Sequence, residues 1–317
     1  VIQDGGITRT QVWHYPSRAE CLACHTASGG FALGFNTPQL NRDTDYGSGA
    51  ESQIAALSRV GYFTTPATNL HTLRSLAAST NASVSLEYRV RSYLAANCSQ
   101  CHQPGGPTVA LWDARITTPL SQTSLIDGRL NNDAGDTNNR VVVPGSLLHS
   151  MLLQRISVRG PRQMPPLDST VLDTNAISLV SAWITNDLPS YQTFAQWQDA
   201  NFGSTNSPDA LPTADPDADG AINSLEYLTG TNPNLAGDGW SIALQPTSTG
   251  VELSFLQTAN RGFEIEWTDG LEAPVQWQPL DVTGNEPFFS AASFTKTVLE
   301  NITSDPARYY RVRVYEP

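Results

Sequence analysis

All four cysteines of this 317-residue sequence fall in two C-x-x-C pairs, and a histidine follows each pair at once: Cys21, Cys24 and His25, then Cys98, Cys101 and His102. On one helical turn, two thiols so spaced can reach the two vinyl groups of a single porphyrin, and the adjacent imidazole then lies under the iron. The pattern therefore predicts two covalent c-type haems with His25 and His102 as proximal ligands. Other uses of C-x-x-C fit less well. A zinc ribbon spaces its pairs by about 15–20 residues, whereas 73 residues separate Cys24 from Cys98. A thioredoxin-like redox pair needs a βαβ context that is missing here, and two simple disulfides leave both histidines without a purpose.

The second axial ligands are less constrained. Of the two methionines, Met164 lies 62 residues after His102 in Arg162-Gln-Met-Pro-Pro166, where two prolines stiffen the loop that holds the thioether. It is the expected ligand opposite His102, and His/Met ligation raises the potential of a haem. Opposite His25, His71 is favoured, 46 residues downstream, with Met151 next. Met151 and His149 would have to reach across from the second half, and His14 is too close along the chain. With His71 as ligand the first haem sits at the lower potential, and electrons run from it to the second.

A second constellation lies at Asp215-Pro-Asp217-Ala-Asp219-Gly220-Ala221-Ile-Asn223-Ser-Leu-Glu226. It fits the calcium loop D-x-D-x-D-G-x5-E: three carboxylates at alternate positions, a glycine for the sharp turn, the Ala221 carbonyl, Asn223 directly or through water, and Glu226 as a bidentate carboxylate. The bland alternative is an acidic, solvated linker. Pro208 and Pro212 crowd the entry side and argue against a helix–loop–helix sensor.

These residues need elements to position them. Ser17-Arg-Ala-Glu20 reads as a capping box that starts a helix carrying the first motif. Apolar residues at helical spacing predict further helices at 51–60, at 86–94 leading into Cys98, and at 174–186. Residues 239–317 alternate with period two, as in 251–255, 263–267 and 309–315, with turn signals between, and read as a small β-sandwich similar to fibronectin-like modules. It has no Cys or His; Trp267 and Trp277 are read as core in preference to a carbohydrate face. The expected architecture is multidomain: a mainly α, cytochrome c-like diheme region, a calcium-loop connector and a C-terminal all-β sandwich. The boundaries are 1–80 for the first haem domain with its N-terminal extension, 81–190 for the second, 191–238 for the connector and 239–317 for the sandwich. Order within 81–190 (helix, motif, Met164, closing helix with Trp183) resembles a small class I cytochrome c, whose first and last helices cross beside the haem.

Charge narrows the partners. Residues 1–190 hold thirteen arginines against thirteen carboxylates, so the whole net charge of −12 lies beyond them. There is no basic footprint for nucleic acid. No run approaches the about 18 apolar residues of a transmembrane helix. Val1 opens the sequence, which reads as a mature or proteolysed chain of an exported protein.

Four segments carry a resemblance: 13–25 (Trp-His-Tyr-Pro-Ser-Arg-Ala-Glu-Cys-Leu-Ala-Cys-His), 33–41 (Leu-Gly-Phe-Asn-Thr-Pro-Gln-Leu-Asn), 91–106 (Arg-Ser-Tyr-Leu-Ala-Ala-Asn-Cys-Ser-Gln-Cys-His-Gln-Pro-Gly-Gly) and 164–167 (Met-Pro-Pro-Leu). Over about residues 12–188 the chain resembles a family of bacterial diheme c-type cytochromes. The resemblance implies a periplasmic or extracellular electron carrier with a protein donor and acceptor, in some relatives a fused quinoprotein sugar dehydrogenase. The calcium loop with its flanks resembles connectors of the dockerin or thrombospondin type-3 kind. Two other functions stay open: a diheme peroxidase with a displaceable ligand on one haem, and a haem-bearing subunit that self-assembles at the cell surface or in a filament.

Overall fold

Side-chain caps set where several helices begin. Ser17 caps α1 (Arg18–Leu22) in a full capping box with Glu20, Asn36 caps α2 (Thr37–Leu40), and Ser52 caps α3 (Gln53–Arg59). Next come α4 (Leu86–Asn97) and α5 (Met151–Ile156). Asp173 caps α6 (Thr174–Ala182), which continues as a π-helical turn over Trp183–Asp187. Thr193 caps α7 (Phe194–Phe202), and α8 (Asn223–Thr229) follows the acidic loop. The strands are β1 (Ile2–Asp4), β2 (Ile7–Arg9), β3 (Asp43–Asp45), β4 (Ala50–Ser52), β5 (Ile242–Pro246), β6 (Gly250–Gln257), β7 (Gly262–Thr268), β8 (Gln278–Pro279), β9 (Phe294–Asn301) and β10 (Tyr309–Tyr315). This computed structural model describes residues 1–4, 6–47, 49–302 and 307–317.

The chain forms two compact units, one of residues 1–34 and 90–190, the other of 35–89 and 191–317. In the first, α6 packs chiefly against α5. Val180, Trp183 and Ile184 are fully buried, at the helical spacing that predicted them. Val90 and Leu94 of α4 are buried as well, and this helix delivers the chain directly to Cys98, whose N–H donates to the Leu94 carbonyl at 2.8 Å.

The mainly α, cytochrome c-like region expected over 1–190 is overturned. Helix makes up only about 25% of the chain and strand 18%, in short pieces. The physical reason lies between α4 and α5. Pro104, Pro107, Pro119 and Pro144 remove backbone donors there, and Gly105, Gly135 and Gly145 hold φ of +75°, +88° and +74°, a conformation that ends helices. The segment is held instead by isolated bridges, Ile126 to Val142 and Arg140 to Ser150.

In the second unit, two three-stranded antiparallel sheets, ordered β5-β6-β9 and β10-β7-β8, share one apolar core. Leu253 and Phe255 of β6 meet Phe263 and Ile265 of β7, Val298 of β9 and Leu280 there. On the opposite face of β7, Glu264 and Glu266 pair with Arg313 and Arg311 across the β7–β10 register, cross-strand contacts worth roughly 0.2–1 kcal/mol each. Trp267 packs against the core's edge beneath the Arg308 guanidinium, and Arg311 lies over Trp277. These strands are not packed as a separate all-β module. Val84 bridges to Ser290, the Ser85 N–H donates to the Phe289 carbonyl at 2.8 Å, and Tyr88 stacks on Phe289 at 4.2 Å.

Lys296 of β9 is only 7% exposed, and burial pushes its ammonium down to about 8, with Glu286 opposing the shift. The unfolded chain, with a pKa near 10.5, binds more protons than the folded one between those values. Stability therefore rises with pH from about 8 to 10.5, by as much as about 3 kcal/mol. Lys296→Met abolishes this slope and raises the melting temperature at neutral pH, read by calorimetry across that range.

Candidate functional site

Both C-x-x-C-H motifs lie in the first unit. The first leaves the end of α1, where the His25 N–H donates to the Cys21 carbonyl at 3.0 Å. The His25 ring places Nδ1 2.5 Å from the Phe31 carbonyl oxygen. A carbonyl only accepts, so Nδ1 is the donor in this contact, as in histidines that use their other nitrogen as a metal ligand. His25 is exposed, and its sequence neighbours Trp13, Tyr15, Leu22 and Phe31 expose large apolar surfaces.

The second motif is more enclosed. His102 N–H donates to the Cys98 carbonyl at 2.8 Å, and the His102 carbonyl accepts from Ala114 at 2.8 Å. The ring stacks on Trp112 with centroids 4.1 Å apart. Its Nδ1 is buried without a hydrogen-bond partner, and burial, followed by the nearby Arg155 charge, pushes the imidazole down to about 4. A shift in this direction favours the neutral imidazole, the form that could ligate a metal. Burial also pushes the Cys98 thiol up to about 12 and that of Cys101 up to about 11, with Cys24 the next cause for Cys101. No two cysteines are disulfide-bonded, and among the described residues the cysteines do not converge as a three-ligand metal site.

Two cavities, of about 200 and 310 Å³, adjoin this motif and share Cys98, His102, Thr108, Ile156 and Met164 as walls. One is lined further by Trp112, Leu130 and Val141, the other by Tyr93, Pro107, Pro165 and Pro166. Such a space, largely apolar and walled by the half-buried His102 and by Met164, offers the donor set that a His/Met-ligated haem would need. Met164 is held there by its N–H, which donates to the Arg155 carbonyl at 3.0 Å. Met151, weighed from sequence as a ligand for the first haem, instead lines the 200 Å³ cavity at the start of α5 and is 3% exposed. The remaining histidines are occupied elsewhere. His14 Nε2 lies 3.2 Å from the Glu20 carboxylate, and His149 Nδ1 lies 3.3 Å from Asn139 and 3.4 Å from Asp136. His71 belongs to the second unit, where Glu286 accepts from its Nδ1 at 2.7 Å and Asp281 accepts from its backbone N–H at 3.0 Å.

The acidic loop is also in the second unit. Carboxylate oxygens of Asp215, Asp217 and Asp219 lie within 4.8 Å of one another. Ala218 at φ +61° and Gly220 at φ +98° turn the chain so that the Gly220 N–H donates to Asp215 at 3.0 Å and the Ala221 N–H to Asp219 at 2.9 Å. Ala221 is buried beside them. The first turn of α8 then supplies Asn223 and Glu226, three residues apart on one face. Both are fully buried. The Asn223 amide donates to the Asp209 and Leu211 carbonyls, which leaves Oδ1 without a partner. Both Glu226 oxygens, Asp217 Oδ2 and Asp219 Oδ2 are buried and unpartnered too. Burial, then Asp217, Asp219, Asp215 and Asp238, push the Glu226 carboxyl up to about 7. Buried oxygens left unpaired are costly, and a hard cation with six to eight oxygen ligands fits this donor set.

Sequence reasoning missed Gly239. A Cβ there would stand 2.6 Å from Asp219 Oδ2, so any other residue must displace the loop's third carboxylate. Were calcium held in this loop, Gly239→Ala would weaken its binding by about tenfold, or ~1.4 kcal/mol, measured by titration calorimetry with calcium alone; unchanged affinity would mean that Asp219 does not need its position. No local signal marked Gly239, because the residue it accommodates is twenty positions away.

Compared with protein-family models, curated proteins and solved structures, the chain matches none.

Proposed function

We propose that this chain is a diheme c-type electron-transfer protein of the periplasm or cell exterior, with a calcium ion bound in its acidic loop. The observation that carries the reading is His102: a half-buried imidazole directly after a C-x-x-C pair, beside largely apolar cavities whose walls include Met164. A haem bound at each motif supplies a reversible one-electron couple. The chain's own residues hold and tune it. Cys21 and Cys24, and Cys98 and Cys101, anchor the porphyrins; His25 and His102 present imidazole nitrogens; Met164 offers a thioether. Phe31 fixes the His25 tautomer, and Trp112 orients the His102 ring. The largely apolar walls beside His102 would limit water at a haem held there and so would favour its reduced state. Donor and acceptor are redox proteins, and the family resemblance suggests a dehydrogenase as donor.

Asp215, Asp217, Asp219, Asn223, Glu226 and the Ala221 carbonyl hold calcium in a structural role. Six to eight oxygens suit that ion better than magnesium, which demands near-octahedral geometry and keeps its waters.

Spectroelectrochemical titration tests the redox reading. The exported protein should take up and release two electrons per chain with c-type spectra and should not turn over peroxide. Catalytic peroxide consumption would replace the carrier by an enzyme, and an absence of reversible electron uptake would end the reading.

A further inference from the structure

Charge is spread unevenly over the walls of the two cavities beside His102. The 310 Å³ cavity has no charged side chain in its wall, and Cys101, Pro107 and Pro165 lie on that side alone. The 200 Å³ cavity has Arg129 and Arg155 in its wall, and neither cavity has an aspartate or a glutamate there. Cations that wall a largely apolar space, with no anion among them, suit it to an anionic ligand. Other arginines of this unit are spent within it. Arg115 pairs with Asp113 at 2.6 Å, Arg140 donates to the Thr137 and Asn139 carbonyls, and Arg159 donates to the Ile156 and Val171 carbonyls. Among the described residues, the side chains of Arg129 and Arg155 have no such partner.

The backbone sets where these two stand. Arg155 lies about one turn after Met151 on α5, so both reach the same cavity. The Arg155 carbonyl also accepts from the Met164 N–H at 3.0 Å. After burial, the Arg155 charge is the second cause of the lowered pKa of His102. Arg129 follows the buried Gly128, where a Cβ would collide with the Ser124 carbonyl oxygen. The Gly128 carbonyl accepts from the Val141 N–H at 2.9 Å, and this clasp brings residues 129–132 to the cavity wall.

A ligand that occupies both cavities thus meets Cys101 at one end and two cations at the other. Haem has that polarity, with its thiol-reactive vinyl groups and its two propionates on different edges of the ring. We infer that Arg129 and Arg155 bind the two carboxylates of the haem proposed at His102, which orients its sulfur-linked edge toward Cys101 and its carboxylate edge toward α5. The inference rests on the haem reading of the second motif alone and adds to it an orientation and two carboxylate-binding residues. Each pair is a charge-assisted contact. Two cations disfavour the oxidised, more positive iron and keep both carboxylates ionised, so the potential is raised and does not vary with pH.

Potentiometry across about pH 5 to 8 tests this, on the full chain carrying Cys21→Ala/Cys24→Ala so that only the haem beside His102 is read. With both arginines present, the potential should stay level. In Arg155→Gln or Arg129→Gln it should be lower at the alkaline end and should fall as pH rises. A carboxylate without its cation beside apolar walls has a raised pKa, and its ionisation favours the oxidised iron. Arg155→Lys, which keeps the charge, should restore most of the parent behaviour. Arg129 is exposed, so Arg129→Gln decides if Arg155→Gln fails to mature. Parent-like potentials in both glutamine variants would overturn the carboxylate assignment and leave the haem at His102 in place. A shift that Arg155→Lys reproduces in full would overturn it too, because it would follow shape and not charge. A chain that carries no haem at Cys98 and Cys101, with or without the first pair of cysteines, would overturn the haem reading and this inference together.

Discussion

Met164→Ala is expected to lower the midpoint potential of the haem proposed at His102 by on the order of 0.1 V or more, because a thioether opposite histidine would hold such a centre at high potential. Met151→Ala does not. The two methionines line the same 200 Å³ cavity, yet their settings differ. Met164 is half-buried on a loop and borders both cavities beside His102, so its sulfur is available to a ligand. Met151 is 3% exposed at the first turn of α5, packed as a core residue. Truncating it removes packing, at a cost of about 2–5 kcal/mol in stability, and leaves the potential near its wild-type value. Potentiometry and thermal unfolding on both variants separate the roles. The reverse pattern, with the potential following Met151, would reassign the ligand.

With calcium in the acidic loop as proposed, chelating it is expected to lower the stability of the unit formed by residues 35–89 and 191–317. With calcium in hundredfold excess over its dissociation constant, binding contributes about 2.7 kcal/mol. The calcium-free loop keeps five carboxylates close together, one of them the fully buried Glu226, with no partner for either of its oxygens. Glu226→Gln removes a bidentate ligand and one of those charges. The variant should lose the calcium-dependent rise in melting temperature, and without calcium it should be at least as stable as the wild type, since mutual repulsion in the loop is relieved. Calorimetry with and without chelator reads both effects. A variant that keeps the full calcium response would remove Glu226 from the ligand set.

What the sequence disclosed was local. The capping box at Ser17 and Glu20, the helix that ends in Cys98, the fully buried face at Val180, Trp183 and Ile184, and the alternation of β6, β7 and β10 are each written within a dozen residues. The clustering of Asp215, Asp217 and Asp219 was equally legible, because the three carboxylates alternate within five positions. Long-range pairings were not. The segment 35–89 joins the strands through Val84, Ser85 and Tyr88, which carry no mark of Ser290 or Phe289 more than two hundred residues on. The cavity position of Met151 is likewise a product of tertiary packing. Extrapolating from a few well-capped helices to a mainly α region failed because prolines and left-handed glycines occupy the stretch between α4 and α5. Helical periodicity at the two ends of that stretch says nothing about its middle.

Covalent attachment at both motifs is the claim on which the redox account stands, and the intact mass of the protein, produced in a host that attaches c-type haem, tests it most directly. The account predicts the polypeptide plus two haems, with no thiol left to alkylate at Cys21, Cys24, Cys98 or Cys101. A mass equal to the bare polypeptide, with four cysteines that react, would contradict it.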